Sequence, residues 1–332
     1  MAIDRNQELA PFGARTARGC AIGPLSLTHP RERGIALLTA ILVVAVGTLI
    51  ATNLLWLSTL DQKRTASAMA SDQGLQYALG AEAWVGAILR QDLEDSPDRD
   101  HLGEYWAAEI DPLPIEGGFI EGRIEDLQGR FNLNNLVASG EEDPIMVAQL
   151  ERLLLLLELD PNLAGAVVDW LDPDSAPRFP YGGEDDAYAR ADPPYLVANA
   201  MITSPSELMA INGFDSQAYE QIAPYVTALP RGTLLNVNTA TDIVLASLSD
   251  EIDLGLAASL VEERGEFGFE SVQTTFQGLV SEDMLPRLDG ITEHFLLSGQ
   301  VTIGETTVRI RSVLQRHDSG ITRTLFRSFG VE

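Results

Sequence analysis

Arg31-Glu32-Arg33-Gly34, followed directly by Ile35-Ala36-Leu37-Leu38-Thr39, is the stretch that decides the organisation of this chain. A charged leader ends at the glycine, and an uncharged apolar run of 23 residues then continues from Ile35 to Leu57. At about 1.5 Å per residue, a helix of this length crosses the hydrocarbon core of a bilayer with some tilt. The junction therefore predicts one transmembrane helix ahead of a larger domain.

The position of Gly34 indicates how the chain is processed. A secretory signal has a short apolar core that is followed by a small-residue cleavage site. Here the only clear glycine junction precedes the apolar run, so cleavage after Gly34 would leave the helix on a mature chain that begins at Ile35. Pilin-type precursors have this arrangement and are cut on the cytoplasmic side. The alternative is an ordinary uncleaved signal anchor in which Gly34 has no role.

Charge predicts the orientation of the chain and excludes one class of partner. The leader contains five arginines and three acidic residues, which places it in the cytoplasm and the remainder outside. The whole chain has a formal charge of −27, and the part after the leader is near −29. Because DNA affinity depends on Lys and Arg displacing counterions, we expect no nucleic-acid partner.

The helical pattern continues beyond the apolar run without a proline up to Asp95, so we expect one helix from residue 35 to about 95. Apolar residues recur at steps of four, three and four, which puts them on one helix face that should pack beneath a sheet. These residues are Tyr77, Ala81, Trp84 and Ile88.

Strand patterns flank a long helical block. Alternating segments are predicted at 118–125 before the block and at 295–303, 306–315 and 321–329 after it. Within the block, residues suited to helix caps are Asp143, Ser204, Asp215 and Asp253, and Gly265 is a helix stop. The predicted fold class is α+β, with a long N-terminal helix and a small antiparallel sheet into which a large, mainly helical domain is inserted.

Four motifs in this order carry a family resemblance. They are Arg33-Gly34-Ile35-Ala36-Leu37-Leu38, the run from Asp126 to Asn134, Asp169-Trp170-Leu171-Asp172 with Tyr181-Gly182-Gly183-Glu184-Asp185, and Leu235-Asn236-Val237-Asn238-Thr239-Ala240. With them, nearly everything after about residue 31 resembles the type II secretion minor pseudopilin K, or general secretion pathway protein K, family.

The resemblance implies a pilin-like fold whose inserted domain is SAM-like or helix-hairpin-helix-like. The implied divisions are a cleaved cytoplasmic leader at 1–34, the transmembrane part of the helix at 35–57, the periplasmic helix and first part of the pilin-like domain at 58–139, the inserted helical domain at 140–290 and the C-terminal strands at 291–332.

The resemblance also implies a function. Prepilin peptidase would cut after Gly34, and the new N-terminus at Ile35 would be methylated. The mature protein would sit in the inner membrane with its bulk in the periplasm. It would cap the tip of the pseudopilus with the minor pseudopilins I and J and help to initiate assembly. Such a protein is a scaffold and not an enzyme.

Thr39 would be the fifth residue of the mature chain. In most pseudopilins this residue is a glutamate, whose carboxylate can neutralise the N-terminal ammonium of a neighbouring subunit. A carboxylate without a partner at bilayer depth costs about 2.5–3.5 kcal/mol on insertion scales. A first subunit with no neighbour above it offers no such partner, so Thr39 fits a cap rather than a shaft subunit. The alternative is that Thr39 is merely a tolerated polar residue.

An acidic, Pro- and Gly-rich loop is the candidate metal site. Calcium binds six to eight oxygens, often from several carboxylates on flexible loops, and family members resemble calcium binders in this domain. The candidate ligands are Asp169, Asp172, Asp174, Glu184, Asp185 and Asp186. The spacing is not that of an EF-hand, and the alternative is a solvated acidic loop whose charges simply repel.

Two other functions compete with the scaffold role. The first is an uncleaved, signal-anchored periplasmic binding protein. The second is a membrane-anchored DNA receptor, because Leu235–Ala240 and the following helices resemble a helix-hairpin-helix repeat. In that repeat, backbone amides of a glycine-rich hairpin bind phosphate, whereas the hairpin at 249–255 has three acidic residues. We therefore expect the repeat without the nucleic-acid function.

We expect no catalytic residue. Glu184, Asp185 and Asp186 could suggest an acid–base pair, but carboxylates in an exposed loop lack the burial that shifts a pKa for catalysis.

Overall fold

The computed structural model describes residues 33–109 and 111–330. The predicted leader therefore lies outside the described residues, apart from its last two positions. The chain divides into two compact units, Met1–Lys63 and Arg64–Glu332, and each is described by itself.

The described part of the first unit is helical. It belongs to α1 (Arg33–Asp95), whose bounds confirm the predicted long helix. Its N-terminal part is apolar and exposed, and by length and composition α1 can cross a membrane. The hydroxyl of Thr39 donates to the carbonyl oxygen of Ala36 at 3.0 Å, and that of Thr48 donates to Val44 at 2.8 Å. These polar side chains are thus satisfied within the helix, as an apolar medium requires. The helix fits a single-pass membrane anchor.

The second unit contains the strands and the remaining helices. Among the described residues, the strands are β1 (Leu113–Ile115), β2 (Gly118–Asp126), β3 (Phe131–Asn132), β4 (Val137–Ala138), β5 (Glu141–Glu142), β6 (Val226–Thr227), β7 (Leu235–Asn236), β8 (Leu288–Asp289), β9 (His294–Ile303), β10 (Thr306–Arg316) and β11 (Thr322–Phe329). The helices after α1 are α2 (Pro144–Leu156), α3 (Leu163–Leu171), α4 (Asp185–Tyr188), α5 (Ser216–Ile222), α6 (Asp242–Ala246), α7 (Leu254–Arg264) and α8 (Val272–Phe276). Short 3-10 helices lie at Tyr105–Ala107, Leu133–Leu136, Pro205–Ala210, Ala223–Tyr225 and Leu285–Arg287.

The main sheet is antiparallel, with the strand order β1-β2-β9-β10-β11. We call it the head sheet, and we call this sheet together with the part of α1 that packs on it the head. Its long strands confirm the four alternating segments that the sequence predicts. On β10, the residues Ile310, Ser312 and Leu314 are buried on one face, where the C-terminal half of α1 packs. Leu314 belongs to the same apolar cluster as Val85, Ile88 and Leu89 of α1.

The face that α1 presents to this sheet overlaps the predicted face but is rotated by one position. Ile88 is buried as predicted, whereas Trp84 is 41% exposed and the neighbouring Val85 and Leu89 are buried. The buried stripe also contains the acidic residue Glu82. A pattern that counts only apolar residues excludes such a residue from the core, so it selected the neighbouring stripe.

Glu82 is tolerated in the core because three side chains of the sheet bind its carboxylate. Arg327 donates to it at 2.7 and 2.5 Å, Ser312 at 2.5 Å and Thr324 at 2.8 Å. Burial raises the pKa of Glu82, but these hydrogen bonds and the charge of Arg327 outweigh burial and bring the pKa below its ordinary value of 4.5. The carboxylate therefore stays ionised and fastens α1 to β10 and β11.

The rest of the unit is an insertion between two neighbouring strands. In the antiparallel register of β2 and β9, Asp126 lies opposite Phe295, so the segment 127–294 leaves and re-enters the sheet at adjacent positions. The segment builds two apolar clusters of its own. One includes Phe131, Leu150 and Trp170, and the other includes Leu260 and Phe276.

The caps of the inserted segment follow the prediction. Asp143, Asp215 and Asp253 each accept backbone N–H groups at the start of α2, α5 and α7. Ser204 forms a capping box at the start of the 3-10 helix Pro205–Ala210. Gly265 ends α7 with a φ of 51°, a value that favours glycine.

Asp126 ties the insertion to the head sheet. Its buried Oδ2 accepts from Asn236 Nδ2 at 2.9 Å, from Thr239 Oγ1 at 2.5 Å and from Thr292 Oγ1 at 2.6 Å. Burial raises the pKa of Asp126 and these hydrogen bonds oppose that rise. Gly129 is required beside this cluster, since a Cβ there would lie 2.5 Å from Thr239 Oγ1.

Two other polar residues of the Asp126–Asn134 motif also hold distant segments together through hydrogen bonds. Gln128 Oε1 accepts from the backbone of Glu293 at 2.8 Å. Asn134 Nδ2 donates to the carbonyl oxygens of Ile202 and Leu229, and its Oδ1 accepts from the Ile202 N–H. These buried amides satisfy backbone groups of segments that are distant in sequence, so the motif serves the architecture of the insertion.

Replacing Glu82 by Gln should lower the free energy of unfolding by about 1–3 kcal/mol at pH 7, because Arg327 loses its carboxylate partner. The folded-state pKa of Glu82 is depressed. Its contribution is therefore complete above pH 4.5 and is lost as the pH falls through the folded-state value. Denaturant titration of the detergent-solubilised chain at pH 7 and pH 3.5 measures both effects. Glu94→Gln, an exposed position on the same helix, is the control, and an equal loss there contradicts the assignment.

Candidate functional site

The six predicted calcium ligands lie at the two ends of one loop. Asp169 is in α3 and Asp172 follows it directly, whereas Glu184 precedes α4. Asp169 and Asp172 are 0% and 1% exposed. The charges at the α3 end of this loop therefore lie in the interior of the inserted segment and not in solvent.

Arg178 folds this loop back onto α3. Its Nη1 donates to Asp169 Oδ1 at 2.6 Å and to Asp172 Oδ2 at 2.7 Å, and its backbone N–H donates to Asp169 Oδ2 at 2.8 Å. Its Nε also donates to Glu142 Oε2 at 3.1 Å. Neither Arg178 nor Glu142 is among the residues that the sequence predicts for this site. An arginine inside an acidic loop was the available signal.

Gly182 is needed for this folding back. Its N–H donates to the carbonyl oxygen of Arg178 at 2.6 Å. A Cβ at Gly182 would lie 2.1 Å from that oxygen and 2.2 Å from Asp169 Oδ2. Only glycine allows the backbone this close to a carboxylate that Arg178 already occupies.

The structure brings three of the six candidates together. One carboxylate oxygen from each of Asp172, Asp174 and Glu184 lies within 4.8 Å of the other two. Asp172 Oδ1 and Glu184 Oε1 are buried and have no hydrogen-bond partner among the described residues. Buried polar oxygens are ordinarily paired, so these two indicate a site for a positively charged ligand.

Glu184 departs from the exposed loop that the sequence predicts. It is partly buried, and burial, followed by the charges of Asp169, Asp172 and Asp174, raises the pKa of Glu184 to about 7. The expectation that this loop lacks pKa-shifting burial is therefore wrong for Glu184. Burial is the largest cause of this rise in pKa, and the neighbouring negative charges, which a cation would offset, add to it.

The remaining three candidates are engaged elsewhere or point away. Both oxygens of Asp169 are bound by Arg178. Asp185 Oδ1 accepts from the backbone of Val197 at 3.3 Å, and Asp186 is exposed. The correspondence with the predicted ligand set is thus partial.

The cluster of Asp172, Asp174 and Glu184 has the donor chemistry of a hard divalent cation. Calcium prefers carboxylate oxygens at about 2.3–2.6 Å, so two ligands on opposite sides of the ion are separated by roughly twice that distance. Oxygens within 4.8 Å of one another meet this requirement. Such an ion would join the end of α3 to the start of α4.

The predicted processing residues lie at the start of α1. Gly34 and Ile35 are in its first turn, and Thr39 follows one turn later with its hydroxyl bonded to Ala36. The residues on the other side of the junction, up to 32, lie outside the described part of the chain.

The hairpin between α6 and α7 is acidic where a DNA-binding hairpin presents free amides. Asp253 uses its carboxylate to cap α7, accepting from Leu256 N–H at 2.8 Å. The side chain of Asp250 is 86% exposed. The N-terminus of α7 is thus occupied by a carboxylate of the protein itself, which leaves little positive potential for a phosphate.

Comparisons with known proteins match this architecture. Two protein-family models described as type II secretion system protein K match residues 129–231 and 235–290. These ranges coincide closely with the two apolar clusters of the insertion. Type II secretion system protein K of Pseudomonas aeruginosa is 35% identical over 314 residues, which cover 90% of this chain and 93% of the relative. The Aeromonas hydrophila protein of the same description is 34% identical, with 86% and 93% covered.

A solved structure shows the same fold. A chain in the crystal structure of the GspK-GspI-GspJ complex from the enterotoxigenic Escherichia coli type 2 secretion system superposes with a TM-score of 0.73 at 26% identity. The match covers 81% of this chain and 100% of that one.

Proposed function

The chain belongs to the type II secretion system protein K family, and from that membership we propose that it is the minor pseudopilin that caps the tip of the periplasmic pseudopilus and helps to initiate its assembly. The family places it among the minor pseudopilins of type II secretion. The role as a cap is supported by the position and size of the insertion. It is a scaffold role that requires no catalytic group.

The observation that carries this proposal is the insertion of 127–294 between adjacent strands of a small head sheet. α1 and the five-stranded sheet form a pilin-like unit of modest size. The insertion adds two further apolar clusters to that unit. A helical stack of subunits that continued past this bulk would clash with it, so the subunit ends the stack.

Thr39 supports the same position in the assembly. Its hydroxyl is satisfied by the Ala36 carbonyl of its own helix, so it needs no neighbouring subunit. A glutamate at the same place would require a positive partner to offset its cost in the membrane. A subunit at the tip has no neighbour above it to supply one.

The maturation pathway is part of the proposal. Prepilin peptidase cuts after Gly34, and the new N-terminus at Ile35 is methylated. The helix from 35 to 57 then anchors the chain in the inner membrane, with its bulk in the periplasm. The partners are the minor pseudopilins I and J, as in the complex named for the E. coli structure. An uncleaved anchored binding protein is the alternative that processing tests.

Intact-mass and N-terminal peptide analysis of the membrane-extracted protein should find a chain that begins at methylated Ile35. The product should depend on prepilin peptidase, because the only glycine junction lies before the apolar run. A strain without the peptidase is the control. A chain that keeps residues 1–34 in both strains contradicts the pseudopilin pathway.

Removal of the insertion should let the head enter the shaft. Leu127 N–H donates to the carbonyl oxygen of His294 at 3.0 Å, so replacing 128–293 by Asn-Gly joins β2 to β9 as a hairpin in their present register. The variant also carries Leu127→Thr and Leu296→Thr, because the deletion would expose these two apolar side chains, which pack against Leu229 of the insertion. Crosslinking should then find several copies of the variant per pseudopilus instead of a single one.

Thr39→Glu in the full-length chain is the matched control, because it changes the fifth residue of the mature helix and keeps the insertion. The deletion variant is first shown to be processed and protease-resistant. If the folded deletion variant is still confined to the tip, the steric explanation is wrong.

We propose in addition that Asp172, Asp174 and Glu184 hold a calcium ion. The support is their convergence, the two buried oxygens without a partner and the raised pKa of Glu184. The ion would stabilise the loop that Arg178 folds back onto α3. It would supply positive charge to the site and no chemistry.

Chelation of calcium should lower the free energy of unfolding by about 2–3 kcal/mol, the value expected when calcium is present at ~100 times its Kd. Glu184→Gln should reduce this difference, since it removes one ligand charge. Asp186→Asn is the matched control, because Asp186 is an exposed acid of the same loop. Thermal and denaturant unfolding with and without EGTA measure the effect. An undiminished difference in Glu184→Gln contradicts the assignment.

A further inference from the structure

A second buried group of carboxylates lies in the head, away from the loop of the insertion. Asp92 is in the last turn of α1, and Asp100 and Glu104 are in the segment that follows it. Their side chains are buried, with exposures of 8%, 1% and 9%. One carboxylate oxygen from each lies within 4.8 Å of the other two.

One arginine binds two of these three acids. Arg316 donates to Asp92 Oδ2 at 2.8 Å through Nη1 and to Asp100 Oδ1 at 2.5 Å through Nη2. The second oxygen of Asp100 accepts from Thr292 N–H at 2.7 Å. A single arginine charge beside three buried carboxyl groups leaves the cluster short of positive charge, which is costly unless a bound cation or protons supply it.

Glu104 points to the place of that cation. Its Oε2 accepts from Trp106 Nε1 at 2.7 Å and from His101 N–H at 3.1 Å. Its Oε1 is buried and has no hydrogen-bond partner among the described residues. Among the described residues, His101 Nε2 forms an ion pair with Oε1 at 3.7 Å, which is beyond hydrogen-bond distance. Glu104, a residue that is nine-tenths buried, therefore brings a carboxylate oxygen without a hydrogen-bond donor to this group of acids.

The same arrangement occurs at the acidic loop. There Arg178 bridges Asp169 and Asp172, and a third acid, Glu184, has a buried oxygen without a partner. In the head, Arg316 bridges two aspartates and Glu104 is the third acid. The two clusters are short of positive charge in the same way.

We infer that Asp92, Asp100 and Glu104 form a second binding site for a hard divalent cation of the size of calcium, in the head of the protein. The donors are carboxylate oxygens only, which selects a hard cation over a soft one. Their separation of up to 4.8 Å is about twice a calcium–oxygen distance of roughly 2.4 Å. Arg316 binds one oxygen of each aspartate and thereby positions both carboxylates.

This site lies where the head meets the insertion. Asp92 belongs to α1, Arg316 ends β10, and the Thr292 that binds Asp100 also binds Asp126. An ion here joins the end of α1 to the segment that follows it, beside the point where the insertion re-enters the sheet. The inference is independent of the role at the pseudopilus tip, since it concerns binding by the isolated chain.

The test is a count of bound ions. Full-length protein in detergent is stripped with EGTA and dialysed to equilibrium against radioactive calcium. The readout is the difference between the wild type and Glu104→Gln, which keeps an acceptor for Trp106 and removes the charge. We expect one ion fewer per chain in Glu104→Gln, and likewise one fewer in Glu184→Gln. Glu94→Gln, exposed on the same helix as Asp92, should bind as many ions as the wild type.

The folding of each variant is checked by tryptophan fluorescence. If Glu104→Gln is not folded, Asp92→Asn provides the same count, because its amide oxygen still accepts from Arg316. An undiminished count in the folded variant overturns the inference. The excess charge would then be balanced by a proton shared between Glu104 and Asp92.

Discussion

The buried carboxylate of Asp126 is the point on which the architecture depends. It ends β2, and its Oδ2 accepts hydrogen bonds from Asn236 and Thr239 of the insertion and from Thr292, which leads back into β9. An insertion of this size can be accommodated between neighbouring strands only if its departing and returning segments are held together. A carboxylate with several donors accomplishes this within one small volume, because each oxygen accepts more than one hydrogen bond.

The charge of the protein is concentrated in the insertion. Residues 140–290 contain 27 acidic and 6 basic residues, so most of the net charge of −27 lies there. Of these few arginines, Arg178 and Arg287 bind carboxylates and Arg264 is buried against backbone carbonyls. With three of its six arginines engaged in this way and acids in large excess, the insertion meets solvent as an acidic surface, which favours divalent cations over polyanions.

Much of the fold was predictable because it depends on local chemistry. The long helix, the strands at 118–126 and 294–329, the caps at Asp143, Ser204 and Asp253 and the stop at Gly265 are properties of short segments. Errors arose where acids are buried. Glu82 replaces an apolar residue in the core stripe of α1, because Arg327, more than 200 residues away in sequence, supplies its partner.

The sequence by itself determined the anchor, the pilin-like order of helix and strands, the acidic loop and the family. Each depends on composition, periodicity or neighbouring residues. Only the tertiary structure decided which acids meet. Asp172 and Glu184 converge because Arg178 and Gly182 fold the loop back, while Asp169 and Asp186 are excluded. Asp92 and Asp100 meet around an arginine from β10, with Glu104 beside them. The physical reason is that a buried charge depends on long-range partners that no local pattern encodes.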